Sequence, residues 1–276
     1  MAEPLVVVTV VSGRHDHLAR QRDGLRRLRE GGQPHRHVVV AMGDPEVAAV
    51  AGPDTEVLDV APPDEGLPLA QARNTGVAHA LAGGAGLVVL LDVDCLPGEG
   101  LLPRYRAAAS QRPDALLAGP VTYLRQGRPV PDRPADLAAL TDPHPARPVP
   151  PDDRLEGGGD HRLFWSLSAA VTPATWERIG GFCTDYVGYG GEDTDLGLTA
   201  AARGVELVWV GGAHAYHQHH PVSRPPVEHV ADIVRNARVF RRRWGRWPME
   251  GWLRELADLG LLVWEPQGDR LELTAG

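Results

Sequence analysis

An α/β architecture on a largely parallel central sheet is the expectation for this chain. Through the first hundred residues, short Val/Leu-rich runs bounded by Gly, Pro or Asp alternate with longer segments of helical spacing. Strands that alternate with helices in this way assemble into a mostly parallel sheet flanked by those helices. At 276 residues, with 43% hydrophobic and 5% aromatic content, one domain with a small C-terminal appendage accounts for the whole chain.

Residues 5–12, 37–41, 56–60 and 87–91 read as buried strands. Between them, 16–30 places Leu18, Leu25 and Leu28 near one helical face, and 68–81 does the same with Leu69, Ala72, Gly76 and Ala80. From 125 to 161 periodicity fails, as Pro129, Pro131, Pro134, Pro143, Pro145, Pro148, Pro150 and Pro151 gather among Asp, Arg and Gly. A flexible loop, serving as a flap on the acceptor side of a site, is the expectation there. Residues 163–171 resume a strand-like run, and 173–179 form a short helix with Pro in its first turn. The pairs Gly180-Gly181 and Gly190-Gly191 bracket a loop that opens onto a helix over 192–203, and 206–210 reads as the last strand of the core. After Pro226, 227–244 and 249–259 read as helices and 262–273 as a closing hairpin. The expected organisation is a domain over 1–221 and a helical extension over 222–276 packed on it.

Composition excludes several classes. All 28 basic residues are Arg, so a lysine-dependent phosphate loop or Schiff base is ruled out. A net charge of −8 argues against general nucleic-acid binding, which needs a broadly basic surface. Cys95 and Cys183 form no metal-ligand or C-x-x-C spacing and are expected as buried free thiols. No apolar run approaches 18 residues and no leader pattern opens the chain, so a cytoplasmic protein without a transmembrane segment is expected.

Open α/β sheets bind ligands beyond the carboxyl ends of their strands, which directs attention to Ser12 to Arg14, Gly43-Asp44 and Asp92 to Asp94 as a nucleotide site. Asp92-Val93-Asp94 follows the fourth apolar run, so extended alternation separates its two carboxylates, one toward a sugar or ribose and one toward a cation. A divalent ion held by carboxylates neutralises a departing diphosphate without proton transfer. A strand-ending Asp turn explains the pattern less well at this position. Gly190-Gly191-Glu192-Asp193-Thr194-Asp195 sets three acids at a glycine-flanked helix start, more than capping requires, and a carboxylate there can accept the proton of an attacking hydroxyl. His214, His217, His219 and His220 gather after the last core strand and suit a metal or phosphate site, with His217 and His219 sharing one face if extended. Arg73-Asn74 lies on the helix before the Asp pair, where the Arg can reach a phosphate or brace a carboxylate, and a solvated helix face accounts for it nearly as well. Arg235, Arg238, Arg241, Arg242, Arg243 and Arg246, interleaved with Phe240, Trp244 and Trp247, offer a docking surface for lipid-linked or anionic partners and thus peripheral membrane contact. A solvated face over a Trp-packed core is the favoured reading of that stretch.

The order of these features resembles GT-A glycosyltransferases of family 2: the Arg73-Asn74 helix, Asp92-Val93-Asp94 with Pro97 close behind, then the Gly-Gly-Glu-Asp helix start. The stretch 164–198, with Ile179-Gly180-Gly181-Phe182 and Tyr186-Val187-Gly188-Tyr189-Gly190-Gly191-Glu192-Asp193, is similar to the C-terminal catalytic segment of the β-1,4-galactosyltransferases. The resemblance covers about 5–221. It implies a GT-A fold, Rossmann-like, and an inverting glycosyltransferase that moves a sugar from a nucleoside diphosphate donor to an acceptor hydroxyl. It also implies Asp193 as catalytic base, Asp94 with one histidine as ligands of Mn²⁺ or Mg²⁺, and Asp92 near the donor ribose or sugar. His217 is favoured as that ligand over His214 or His219. Ser12, Arg14, Asp44 and Arg73 complete the expected donor side, and Tyr189, Gly191 and Glu192 the sugar or acceptor side. A UDP-sugar is the favoured donor, although only Asp44 stands where family members carry acids for the nucleobase. A sugar-nucleotide nucleotidyltransferase lacks its Gly-rich loop and Pro-Lys here, and a non-catalytic carbohydrate-binding protein leaves Asp193 without purpose. A zinc hydrolase on the histidine cluster is the third alternative.

Overall fold

The computed structural model describes residues 4–274. The expected α/β class is the one observed. An eight-stranded sheet forms from β1 (Leu5–Val11), β2 (Arg36–Met42), β3 (Glu56–Val60), β4 (Leu87–Leu91), β6 (Leu116–Ala118), β8 (Leu155–Gly157), β9 (Ser168–Val171) and β10 (Leu207–Val210), in the order β3-β2-β1-β4-β9-β6-β10-β8. Only β8 and β9 run against the rest. A smaller sheet joins β5 (Cys95–Pro97), β11 (Ala215–His217) and β7 (Val121–Tyr123).

Every residue of β1 is buried, as a central parallel strand covered on both faces must be. Alternation splits its side chains: Val6, Val8 and Val10 join the core on one face and Leu5 and Val7 the core on the other. The first face is covered by α3 (Leu69–Ala82), whose Gly76 lets the helix settle against Val8 and Val40. The second is covered by α1 (His15–Glu30) and α4 (Leu101–Gln111). A short α2 (Val47–Ala51) packs beside β2, while α5 (Pro173–Ile179) and α6 (Glu192–Ala202) lie on the α3 face.

Helix α7 (Val230–Trp244) and α8 (Glu250–Asp258) close with the hairpin β12 (Leu262–Trp264) and β13 (Leu271–Leu273) around a separate apolar cluster built on Ile233, Trp247, Leu253 and Leu271. Phe240 and Val239 of α7 also reach Tyr186 and Leu198, which joins this unit to α6.

Several elements differ from the sequence reading. The 163–171 run is a strand only over Ser168–Val171, after a 3-10 turn at His161–Leu163, because the backbone between them leaves the ladder to serve the site described below. The proline-rich 125–161 stretch carries a 3-10 helix over Pro134–Leu140 and β8, with Leu137 and Arg147 buried. The 227–244 helix begins as a 3-10 turn, Val227–His229, before α7. Cys95 is buried and free as expected, whereas Cys183 is only half-buried. Among the described residues no helix is long and apolar enough to cross a membrane.

A β-carbon at Gly76 would lie 2.5 Å from Val8 Cγ1 and 2.9 Å from Val40 Cγ2. Gly76→Ala should therefore destabilise the protein by about 1–3 kcal/mol through overpacking, despite the better helix propensity of Ala. Urea unfolding measures this, and equal or higher stability of the variant would show that α3 lifts off the sheet without cost.

Candidate active site

The site begins where β4 stops. Asp92 keeps its N–H on the Leu167 carbonyl at 3.1 Å, and its own carbonyl accepts from Cys95 N at 2.8 Å, which curls the chain into a tight turn leading to β5. A buried glutamine of α1 holds that turn from beneath: Gln21 Nε2 donates to the carbonyls of Asp92 (2.6 Å) and Cys95 (2.9 Å), and Gln21 Oε1 accepts from Thr9 Oγ1. The two carboxylates consequently leave the turn in different directions, as alternation predicts.

Asp92 meets α3. Arg73 donates from Nη2 to Asp92 Oδ1 at 3.1 Å and from Nη1 to Glu192 Oε1 at 3.3 Å, while its guanidinium lies over the Phe182 ring at 5.4 Å. Burial opposes the charge on Arg73, but Asp92, Asp193 and Glu192 outweigh it and hold its pKa above the ordinary value. Burial, with the charges of Asp94 and Asp193, pushes the Asp92 carboxyl up against the pull of Arg73.

Asp94 turns the other way, toward Arg14 Nη1 at 3.1 Å, His217 Nε2 at 3.4 Å and His220 Nε2 at 3.5 Å. Although burial opposes its charge, His220, His217 and Arg14 keep its pKa below the ordinary value. Burial lowers the pKa of His217 despite Asp94, so its ring is neutral at neutral pH and keeps a lone pair for coordination. One ligand atom each from Asp94, His217 and His220 lie within 4.8 Å of one another. The histidine–carboxylate distances exceed good hydrogen bonds, yet ligands around one small ion sit roughly 3 Å apart, so the group fits a divalent cation.

His220 was not among the histidines favoured from the sequence. Strand β11 ends at His217, and Gln218 N then donates to the Asp94 carbonyl at 2.6 Å. That bond breaks the alternation that would have paired His217 with His219; His219 is exposed, and His220 comes round to Asp94. His214 lies elsewhere, with Nε2 3.1 Å from Asp152 Oδ1.

The Glu192-Asp193 start of α6 completes the arrangement. Gly190 and Gly191 adopt φ of 100° and 95°, open to glycine alone, and a β-carbon at Gly191 would press on the Tyr186 ring at 3.1 Å. Asp193 Oδ2 accepts from Ser166 N at 2.9 Å, while its Oδ1 is buried without a hydrogen-bond partner among the described residues. Burial and the neighbouring Asp193 raise Glu192 to about 7, against the pull of Arg73. One turn on, buried Asp195 accepts from Tyr186 Oη (3.2 Å), Trp244 Nε1 (2.7 Å) and Arg243 Nε (2.7 Å), which locks α7 to α6. Helix α7 also grips the preceding loop: Asp232 accepts from Tyr189 N, and Asn236 accepts from Val187 N and donates to the Tyr189 carbonyl. The Tyr189 ring, 39% exposed, stacks on His229 at 4.7 Å and Trp252 at 5.8 Å.

Asp44 takes another position among the sequence-derived residues. Its carboxylate accepts from Gly13 N at 2.7 Å and lies 2.8 Å from His15 Nε2, joining the turns that follow β1 and β2. Ser12 sits in the same β1 turn, half-buried, and Arg14 follows with φ 51°.

Residues 161–222 match a family model described as the N-terminal domain of galactosyltransferase. This segment contains the Gly-Gly-Glu-Asp helix start and the histidines, so the resemblance expected from 164–198 is borne out. Two validoxylamine A glucosyltransferases, from Streptomyces hygroscopicus subsp. jinggangensis (strain 5008) and subsp. limoneus, are each 41% identical over 44 residues, 16% of this chain. The chain covers only 10% of the length of those relatives. Among solved structures, the catalytic domain of Drosophila β1,4-galactosyltransferase 7, in complex with xylobiose, is similar with a TM-score of 0.49 and 15% identity, over 79% of this chain and 71% of that one.

The raised pKa of Glu192 predicts a pH signature. Below the ordinary value of 4.5 the carboxyl is protonated folded or unfolded; between 4.5 and about 7 the unfolded chain releases the proton first, so stability falls as pH rises, and the loss levels off above 7. Glu192→Gln removes that slope. Urea midpoints from pH 4 to pH 8 should show the variant gaining on the wild type across this window, and a constant difference would mean that Glu192 ionises like an exposed carboxyl.

Proposed function

We propose that this protein is a metal-dependent, inverting glycosyltransferase that moves a sugar from a nucleoside diphosphate donor, a UDP-sugar by preference, to an acceptor hydroxyl. The observation that carries the reading is the state of Asp193. One carboxylate oxygen is fixed by the Ser166 N–H, and the other is buried without a hydrogen-bond partner among the described residues, at the helix start whose Glu192 is joined through Arg73 to Asp92. A carboxylate held in this way is oriented to take a proton from a substrate hydroxyl. The galactosyltransferase-type segment and the nearby Asp94, His217 and His220 support the same reading. In it the catalytic unit spans 1–221, with 222–276 packed on it as an extension.

The chain's own groups then divide the work. Asp94, His217 and His220 would hold Mn²⁺ or Mg²⁺, ions suited to mixed carboxylate and imidazole ligands. When bound, such an ion offsets the negative charge that develops on a departing diphosphate. Arg14, beside Asp94, adds a second positive charge on that side. Asp92, fixed by Arg73, faces the ribose or sugar, and Ser12 and Asp44 border the nucleotide side. Asp193 accepts the proton of the acceptor oxygen as that oxygen attacks the anomeric carbon from the face opposite the leaving group, which inverts the configuration. Glu192, Gly191 and Tyr189 border the acceptor.

Asp193→Asn preserves shape and deletes the basic oxygen, so turnover should fall by on the order of 10² or more with donor affinity intact. Full activity of this variant, or a retained anomeric configuration in the product by NMR, would overturn the mechanism. Asp94→Ala and His220→Ala should each abolish metal-dependent binding of nucleoside diphosphates in calorimetry, whereas His214→Ala should leave it unchanged. Nucleotide affinity indifferent to chelators and to both changes would remove the metal from the reaction.

A further inference from the structure

The proline-rich stretch and the strand before it contribute side chains that the functional reading above leaves unused. Strand β7 pairs with β11 in a register that sets Tyr123 beside His217, and their rings stack at 4.5 Å with 24° between planes. The next segment docks on β7 through its backbone: His144 N donates to the Val121 carbonyl, Asp142 N donates to Thr122 Oγ1, and Pro143 bridges to Thr122. These bonds set the His144 ring edge-on to Tyr123 at 5.5 Å and edge-on to Trp165 at 5.3 Å. Trp165 immediately precedes Ser166, whose N–H holds Asp193. A continuous aromatic wall thus runs from the cation group at His217 to the carboxylate of Asp193.

The wall is braced and chemically specific. Arg147, 5% exposed, donates from Nη2 to the Gly119 carbonyl and spreads its guanidinium over Trp165 at 4.9 Å and Trp209 at 5.6 Å, fixing the indole from behind. His144 Nδ1 accepts from Ala146 N at 3.2 Å, which places the ring proton on Nε2. Burial lowers the pKa of His144, so the neutral ring presents that single N–H. Among the described residues no hydrogen bond joins His144 Nε2 or Trp165 Nε1 to a protein acceptor, and both side chains are half-buried rather than sealed. Ring faces suit the C–H face of a pyranose, and two unclaimed donors suit its hydroxyl oxygens.

We infer that Tyr123, His144 and Trp165 form the wall of the subsite for the transferred sugar, and that His144 and Trp165 discriminate among sugars by donating to its hydroxyls. The inference rests on the proposed glycosyl transfer, since the sugar in transit must lie between the leaving diphosphate at one end of this wall and the base at the other. It assigns part of the 125–161 stretch to donor specificity rather than to a flap on the acceptor side. Tyr123 and His144 lie outside the 161–222 segment that matches the galactosyltransferase model.

Calorimetric titration with Mn²⁺ present would compare UDP and GDP with UDP-glucose, UDP-galactose and GDP-mannose on the wild type, His144→Ala, Trp165→Phe and Trp165→Ala. UDP or GDP affinity should stay within about two-fold in every variant, because the wall does not touch the nucleotide. The added affinity of the preferred sugar nucleotide over its bare diphosphate should fall roughly five-fold or more in His144→Ala and Trp165→Ala. Trp165→Phe, which keeps the ring and loses the N–H, should narrow the preference among the sugars. Unchanged sugar-nucleotide affinity and selectivity in well-folded His144→Ala overturns the inference, as does a defect confined to acceptor KM. Failure of the wild type to bind any nucleoside diphosphate overturns the functional reading and this inference with it.

Discussion

The Arg73 guanidinium is the constraint on which the site depends. Strand β4 ends at an acid and helix α6 begins with two, and Asp92, Glu192 and Asp193 converge on the buried Arg73. Like charges so placed repel strongly, and each is costly to desolvate alone. Arg73 spans two of them with separate Nη atoms, Phe182 covers its face, and α3 anchors it through packing on β1 and β2. A lysine ammonium carries one point charge on a flexible stem and would not set the spacing between two carboxylates in this way. The all-arginine composition of the chain therefore matters locally as well as statistically.

With Arg73 absorbing Asp92 and Glu192, the remaining acids are free for different tasks. Asp94 faces two imidazoles and Arg14, while Asp193 keeps an oxygen without a hydrogen-bond partner among the described residues. Both positions are imposed by hydrogen bonds between side chain and backbone: the Gln21 amide shapes the Asp92 turn, and the Ser166 N–H orients Asp193. The unit formed by α7 and α8 contributes too, since Asp232, Asn236, Arg243 and Trp244 hold the loop and helix that carry Tyr189 to Asp195.

The sequence was most legible where periodicity and site chemistry coincide. Leu87 to Leu91 is a continuous apolar run cut by two acids, and the Gly-Gly-Glu-Asp helix start combines a φ demand with an excess of charge, so both features stand out without coordinates. Residues that act through long-range pairing did not. Gln21 looks like any polar position on an amphipathic helix until the Asp92 turn is folded over it. His220 is separated from its neighbours only by one bond, from Gln218 N to Asp94 O, that ends the strand early. His144 and Arg147 lie in a tract whose prolines erase periodicity, and the ladder that orders them belongs to β7, an element too short to read from pattern. Between 97 and 125 the chain holds α4, β6 and β7, which the sequence reading left unassigned.

The order of the sheet also bears on how the molecule is made. Strand β9 lies between β4 and β6, antiparallel to both, although 76 residues separate it from the end of β4. Its approach supplies Leu167 O to Asp92 and Ser166 N to Asp193. Closing the gap in the sheet and giving the two acids their orientation are thus the same event, reached only through contacts of large sequence separation. During synthesis the first four strands can gather as their residues emerge, but a chain that has not yet delivered Ser168 to Val171 has an unpaired edge beside β4 and no organised carboxylates. The nascent chain is therefore most exposed to mispairing before β9 arrives, and Asp92 and Asp193 gain their backbone partners only in a chain whose β4 edge is sealed.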